Sequence, residues 1–312
     1  MRRTWIVLAF AVLGAIHARA QTAAPPATEI YLAPFTEGDA RTTQIGIVAI
    51  SKLGVSVGKA IKITNTSGYN NQPFFLPDSS GLLFASNRDG KQNDIYRYDV
   101  AAKSTTQLTH TPENEYSPTV MPGGKTFSTV RGDEQRLWKF NLDGSDAGLA
   151  YAHTGKIGYH AWISPDRLAV YVLGAQPSDP STLQLVDLRT GTADVIESSI
   201  GRSLQMRPGA GTLVFVHKPR GATLWEIREL NLDTRKILPL TDTVEGSEDL
   251  AWTPKGVMIM GAKSKLYMWI EQEDRWVEIG DLKSSGVTAI SRLAISPDGK
   301  WIAVVSTPPA AK

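Results

Sequence analysis

Cysteine is absent from the 312-residue chain, and histidine occurs only five times. The first absence excludes disulfide bonds, thiolate metal sites, a cysteine nucleophile and a lipid-modified N-terminal cysteine. Catalytic motifs are missing too, because the sequence has no Gly-x-Ser-x-Gly elbow, no His-Glu-x-x-His pair and no phosphate-binding glycine loop. These patterns therefore predict no catalytic residue, no metal ligand and no cofactor.

Long hydrophobic runs are also missing, apart from one near the N-terminus. This run, residues 5–16, follows Arg2 and Arg3 and precedes the small-residue pattern Ala18-Arg19-Ala20. It is shorter than the ~20 residues that a membrane span needs. We therefore predict a signal peptide over residues 1–20, cleaved after Ala20, and a periplasmic or secreted protein. An uncleaved N-terminal anchor is the alternative.

Neither sign of charge is in excess, since 33 basic residues face 31 acidic ones and the net charge is +2. Removal of residues 1–20 takes away three arginines and leaves a net charge of −1. A nearly neutral mature chain argues against binding to nucleic acid or to a membrane surface. We expect residues 21–28 to form a flexible leader and no membrane span to remain after cleavage.

Turn-forming residues, in contrast, recur at a regular spacing. The stretch Ser296-Pro297-Asp298-Gly299 predicts a tight turn between two strands, because proline fixes φ, aspartate bonds its own backbone and glycine accepts positive φ. Degraded versions of this turn occur at intervals of 43 to 46 residues. The turn prolines are Pro77, Pro122, Pro165, Pro208, Pro254 and Pro297.

A period of about 43 residues fits four antiparallel strands with their loops, which make one blade of a propeller. We therefore predict an all-β fold in which residues 29–309 form a single six-bladed β-propeller of four-stranded antiparallel blades. The sixth turn proline, Pro297, has only the two strands on either side of it before the chain ends. N-terminal strands should therefore complete the last blade and close the ring. Residues 61–64 fit its outermost strand, and residues 30–32 or 45–50 fit the strand inside it.

Two stretches, residues 63–117 (including NNQPFFLPDSSGLLFASNRDG) and 293–306 (LAISPDGKWIAVVS), resemble the PD40, WD40-like repeats of the TolB-type β-propeller family. The resemblance extends over residues 28–306 and concerns the propeller domain only. It implies a bacterial, periplasmic scaffold whose main activity is protein binding.

The residues six and five positions before each turn proline should ring one mouth of the central channel, because they precede the innermost strand of each blade. All twelve are polar or tyrosine. The loops between the second and third strands of the blades reach the same face. The candidate binding residues drawn from both sets are Asn71, Gln72, Tyr116, Tyr159, His160, Arg202, Glu248, Asp249, Arg292, Arg131 and His217.

Three interpretations of this ring are open. In the first, Arg202 and Arg292 simply pair with the neighbouring acidic residues. In the second, the chain is a monomeric, non-enzymatic scaffold that binds an envelope or secreted protein or peptide, with arginines holding a carboxylate and tyrosines stacking. In the third, His160, Glu248 and the two arginines form a small-ligand or carbohydrate site, or the active site of a lyase or hydrolase.

Overall fold

The computed structural model describes residues 26–38, 54–88, 90–153 and 155–308. The predicted signal peptide, most of the predicted leader and the alternative strand at residues 45–50 lie outside these ranges. The described part is mainly β-strand, with two short 3₁₀ helices at Glu271–Glu273 and Lys283–Ser285. Neither of these helices has the length and hydropathy that crossing a bilayer requires.

The strands of the described residues follow one another in regular groups. In chain order they are β1 (Glu29–Thr36), β2 (Ser56–Val57), β3 (Ile61–Lys62), β4 (Asn70–Phe75), β5 (Gly81–Ser86), β6 (Asp94–Asp99), β7 (Ser104–Gln107), β8 (Glu115–Val120), β9 (Thr126–Arg131), β10 (Arg136–Asn141), β11 (Asp146–Tyr151), β12 (Ile157–Ser164), β13 (Arg167–Val172), β14 (Thr182–Asp187), β15 (Thr192–Ser198), β16 (Ile200–Met206), β17 (Thr212–His217), β18 (Glu226–Asn231), β19 (Ile237–Asp242), β20 (Leu250–Trp252), β21 (Met258–Ala262), β22 (Lys265–Ile270), β23 (Arg275–Asp281), β24 (Ala289–Ile295) and β25 (Trp301–Thr307).

Five blades each take four consecutive strands, paired in sequence order as antiparallel ladders. They are β4–β7, β8–β11, β12–β15, β16–β19 and β20–β23, and we number them blades 1 to 5. The first strands of neighbouring blades contact one another around the whole ring, so they are innermost. The predicted six-bladed propeller is confirmed.

Blade 6 closes the ring by combining the two ends of the described chain. It contains β24 and β25, followed by β1, with β2 and β3 on the outer side of β1. Tyr31 of β1 pairs with Val304 on one side and with Lys62 on the other. Residues 30–32 therefore form the third strand, as one of the two predicted alternatives proposed.

Six apolar cores separate the blades, one at each interface. Successive residues of a strand point to opposite faces of its sheet, so each strand contributes to two cores. On β1, Ile30 and Leu32 pack against Phe84 of blade 1, while Tyr31 and Ala33 join the core shared with blade 5. Burial of both faces explains why most second strands of the blades are apolar throughout.

The proline turns join the innermost strand of each blade to the second strand, on one face of the propeller. In the turn after Pro297, the Gly299 N–H donates to the carbonyl of Ser296 at 2.9 Å. Gly299 has a φ of 69°, and the Asp298 carboxylate accepts the Lys300 N–H at 3.1 Å. These turns therefore place the opposite ends of the innermost strands at the other mouth of the channel.

Candidate functional site

The innermost strands themselves carry the predicted ring of polar residues. The spacing from the turn prolines predicts these residues before the strands, but in every blade except blade 5 they lie within the strand. The ladder to the second strand shifts register there, for instance between Asn71 and Phe74 and between Tyr116 and Thr119. A bulge bends its strand and redirects side chains. The regular alternation of side chains along a strand therefore does not predict which way these residues face.

Two of these bulges hold backbone in the left-handed region. Gln72 has a φ of 60° and Ser117 a φ of 53°, and these residues occupy equivalent positions in blades 1 and 2. The side chain of Asn71 accepts the Gln72 N–H at 2.8 Å, and the Gln72 Oε1 accepts the Ser117 N–H at 2.9 Å. Non-glycine residues in this region cost about 1 kcal/mol or more each and concentrate at functional sites.

An open cavity of about 960 Å³ lies at this end of the channel, and we call it the funnel mouth. Blades 1 to 3 supply four tyrosines to it. Tyr69 packs edge-to-face on Tyr116 with ring centroids 6.0 Å apart, and Tyr159 packs likewise on Tyr171 at 5.5 Å. This half of the mouth is therefore an aromatic surface with polar hydroxyl tips.

Blades 4 and 5 supply charged residues to the other half of the funnel mouth. Lys218 Nζ lies 3.1 Å from Glu248 Oε2 and 4.0 Å from the centre of the Trp225 ring. Arg202 Nη1 lies 3.4 Å from Glu248 Oε1. Arg220 is exposed and forms no ion pair with any described residue. The mouth is thus divided into an aromatic half and a charged, mainly cationic half.

Below the mouth, Arg292 of blade 6 reaches across the channel axis to blade 3, and we call this level the neck. Arg292 Nη2 donates to the Tyr159 hydroxyl at 2.7 Å, and its guanidinium lies 4.7 Å from the centre of the Tyr159 ring. Asp249 Oδ2 accepts from Arg292 Nη1 at 3.3 Å and lies 3.6 Å from Arg202 Nε. The predicted pairing of the two arginines with the acidic residues of blade 5 is therefore present.

Burial and charge act in opposite directions on these groups. Burial raises the pKa of Asp249 above its ordinary value, and Arg292 and Arg202 offset only part of that rise. Burial by itself would lower the pKa of Arg292, but the neighbouring Tyr159, Asp249 and Tyr69 raise it and prevail. Arg292 is therefore a permanent cation held in a desolvated position.

A second cavity of about 280 Å³ lies below the neck, inside the central channel of the propeller. From here on, "the channel" means this cavity. It shares Gln72, Tyr159 and Arg202 with the funnel mouth, so the two spaces adjoin. Its lower wall is largely apolar, and Phe74 remains 36% exposed there. An exposed aromatic ring within a closed ring of strands indicates usable apolar space in the channel.

His160 also lines the channel, but its ring is tied to the neighbouring blade. Its Nε2 lies 2.7 Å from the Ser128 hydroxyl of blade 2, which also accepts the Trp162 Nε1–H at 2.8 Å. The histidine is only 7% exposed, and burial lowers its pKa from 6.5 to about 3. His160 is therefore neutral at neutral pH, and its Nδ1 has no hydrogen-bond partner among the described residues.

The structure brings most of the predicted residues together and separates three of them. Gln72, Tyr116, Tyr159, Arg202 and Glu248 line the funnel mouth, and His160, Asp249 and Arg292 line the channel. Neither lining includes the other three. Asn71 is buried in its bulge, Arg131 pairs with Glu113 at 2.8 Å, and His217 ends β17.

Several residues of the mouth are not predicted by the spacing from the turn prolines. Tyr69, Tyr171 and Arg220 lie outside the positions obtained by counting back from the prolines. The loop between β13 and β14 also forms one wall, from Pro177 to Ser181, and Ser181 donates its hydroxyl to Tyr171 at 2.5 Å. The length of this loop and its two prolines were the available signal, because long ordered loops often carry function.

Glu115 of β8 is a buried acid beside the mouth, with 0% exposure. Burial raises its pKa from 4.5 to about 7; hydrogen bonds from Thr109 and Thr111 and the charge of Arg131 lower the pKa, while the nearby Asp94 raises it. The Thr111 hydroxyl donates to Oε1 at 2.8 Å, and Oε2 has no hydrogen-bond partner among the described residues. The protonated, neutral form therefore suits this position.

Replacing Glu115 with glutamine should stabilise the protein at alkaline pH. The folded state retains the proton to a higher pH than the unfolded state does, so the free energy of unfolding falls as the pH rises from 4.5 to about 7. A pKa difference of this size between the folded and unfolded states corresponds to a loss of about 3 kcal/mol in the free energy of unfolding. Urea titrations should show E115Q more stable than the wild type at pH 8 and nearly equal at pH 4.5. The exposed Glu113→Gln serves as control, and equal pH slopes for wild type and E115Q would contradict the assignment.

Comparison with family models and with curated protein sequences finds no match for this chain. Comparison with solved structures does find similar folds. A TolB-type protein of Agrobacterium tumefaciens is similar with a TM-score of 0.64 and 14% identity, over 92% of this chain and 100% of that one. The chain therefore has a TolB-like propeller fold.

Two further solved structures show the same architecture in other settings. An oligogalacturonate lyase in complex with manganese is similar with a TM-score of 0.55 and 15% identity, over 80% of each chain. A chain of a nidogen/laminin complex is similar with a TM-score of 0.60 and 10% identity, over 86% of this chain and 97% of that one. At these identities the similarity establishes the fold, which hosts both enzymes and binding proteins.

Proposed function

We propose that this chain is an exported, non-enzymatic scaffold that binds a protein or peptide partner at the funnel mouth. The observation that carries the proposal is the division of the mouth into an aromatic half and a cationic half. Tyrosine and arginine are enriched in protein interfaces because they combine large contact area with directional hydrogen bonds. The predicted signal peptide supports export.

The ion pairs inside the mouth define which groups remain for a partner. Glu248 is engaged by Lys218 and Arg202, so both carboxylate oxygens already have cationic neighbours. Arg220 has no such neighbour among the described residues. A partner segment with an acidic side chain near Arg220 and an apolar or aromatic side chain on the tyrosines would match both halves.

The chemistry of the site favours binding over catalysis. The imidazole of His160 is buried against Ser128 and Trp162, and Asp249 is engaged by two arginines. Among the described residues there is also no group of three or more His, Cys, Asp or Glu side chains placed to hold a metal ion. No side chain of the neck is therefore positioned as a free general base.

An anionic carbohydrate is the second candidate ligand, and the fold shared with an oligogalacturonate lyase favours it. Tyrosine faces and arginines would suit sugar rings that carry carboxylates. Incubation of the protein with oligogalacturonate and Mn²⁺ tests this candidate directly. New ultraviolet absorbance from a double bond conjugated to a carboxylate would support a lyase and contradict the non-enzymatic scaffold.

Crosslinking from the mouth should capture a specific partner. A photoreactive residue at position 220, in protein expressed in the exported compartment, should give a discrete crosslinked species that mass spectrometry identifies. The same residue at position 125 on the proline-turn face should not. With the identified partner purified, Arg220→Glu should weaken its binding about tenfold or more by charge reversal, and Lys125→Glu should not. Absence of any crosslinked species, or identical species from both faces, would refute the proposal.

A further inference from the structure

The channel below the neck has properties that differ from those of the funnel mouth. It is smaller, at about 280 Å³, and its lower wall presents apolar side chains from blades 1 to 4. They include Phe74, Val120, Trp162, Leu204 and Met206. A cavity of this size holds a compact apolar group of about a dozen non-hydrogen atoms.

Two residues that line this channel, Arg202 and His160, have buried polar atoms without a hydrogen-bond partner among the described residues. Arg202 Nε is buried and lies 3.6 Å from Asp249, which is too far for a hydrogen bond. His160 Nδ1 is the second such atom, and the buried hydroxyl of Ser291, next to Arg292 in β24, also has no hydrogen-bond partner among the described residues. A buried polar group without a partner destabilises the folded state unless a ligand or water satisfies it, so the free Arg202 Nε at the neck requires an explanation.

The charge at this level is positive. Three cations share two carboxylates here, because Asp249 faces Arg202 and Arg292, while Glu248 faces Arg202 and Lys218. The neighbouring His160 is neutral and adds no charge. A small anion at the neck would therefore balance the excess positive charge and would accept the free Arg202 N–H.

We propose that the channel binds a small amphipathic carboxylate, with its carboxylate at the neck and its apolar body, such as a phenyl ring, between Phe74 and Trp162. The carboxylate accepts from Arg202 Nε, and the aromatic walls contact the ring. This site lies below the mouth and needs no protein partner, so it is independent of the proposed scaffold function.

Titration calorimetry with three related probes tests the proposal on the unaltered protein. 3-Phenylpropanoate should bind. The neutral 3-phenylpropanamide should bind at least about tenfold more weakly, because it cannot balance the guanidinium charge. Propanoate should bind more weakly still, because it lacks the apolar body. Equal binding of the acid and the amide, or no binding of the acid, would overturn the proposal and leave the cavity as a water-filled space.

Two variants locate the binding in the channel. Met206→Trp fills the apolar space and should abolish binding of 3-phenylpropanoate, while Leu238→Trp on the exposed outer strand β19 should leave it unchanged. Arg202→Gln should reduce the preference for acid over amide to less than about threefold. Unchanged binding in Met206→Trp, with unfolding curves that show a folded protein, would overturn the channel site. Arg220→Glu should not affect the acid, which separates this test from that of the mouth.

Discussion

Replacing Asp249 with alanine is expected to lower the free energy of unfolding by about 3–5 kcal/mol. The Asp249 side chain is 9% exposed, and its carboxylate is the shared partner of Arg292 and Arg202 at the neck. Its removal leaves the Arg292 guanidinium, with an 11% exposed side chain, without an anionic partner. Burial of an uncompensated charge is far more costly than loss of the attraction alone. Chemical denaturation of wild type and D249A measures the difference.

An exposed ion pair elsewhere in the propeller supplies the matched control. Asp194 lies 3.1 Å from Arg235, and these side chains are 60% and 43% exposed, so Asp194→Ala should cost less than about 1 kcal/mol. The double variant D249A/R292M should recover part of the loss, because the buried cation is then gone. If D249A lowered the free energy of unfolding no more than D194A does, the Asp249 carboxylate would not stabilise the buried arginines of the neck as its contacts indicate.

His160 is expected to make the protein labile to acid, with up to about 5 kcal/mol of stability lost between pH 6.5 and 3. Burial lowers its pKa to about 3 in the folded state, so the unfolded state binds the proton first as the pH falls. The contribution is fully present above pH 6.5 and disappears as the pH falls toward the folded-state value. Replacing His160 with glutamine should therefore flatten the dependence of the unfolding free energy on pH in this range.

The slope of the unfolding free energy against pH is the quantity to compare, because H160Q also loses packing that is independent of pH. The exposed His110 provides the control, and His110→Gln should leave the slope of the wild type unchanged. If H160Q showed the same slope as the wild type between pH 3 and 6.5, the assignment of acid lability to this histidine would be wrong.

The ion pairs of the ring and the proposed partner site lie at different depths of the same end of the propeller. At the neck, Arg292 and Tyr159 join opposite blades although they lie 133 positions apart in sequence, and this contact stabilises the closed ring. At the mouth, Arg220 and the tyrosine faces remain accessible. The pairing of arginines with acidic residues therefore leaves the outer half of the site for a partner.

Counting back from the turn prolines brought residues of one end of the channel together because every blade has nearly the same length. The count succeeded for Gln72, Tyr159 and Arg202, which line both cavities. It could not detect the bulges at Gln72 and Ser117, since a register shift depends on pairing with the next strand. Nor could it find Tyr171, which reaches the mouth from the second strand of blade 3.

The sequence alone determined the number of blades, the antiparallel strands and the closure of the ring, because these follow from turn chemistry and from local hydrophobic alternation. Only the tertiary structure decided which polar side chains face the mouth, the channel or a neighbouring blade. His160 shows why: its environment is set by Ser128 and Trp162, and Ser128 lies 32 positions away on another blade. Contacts between residues that are distant in sequence determine the burial of a side chain and the charges around it, and these determine its pKa.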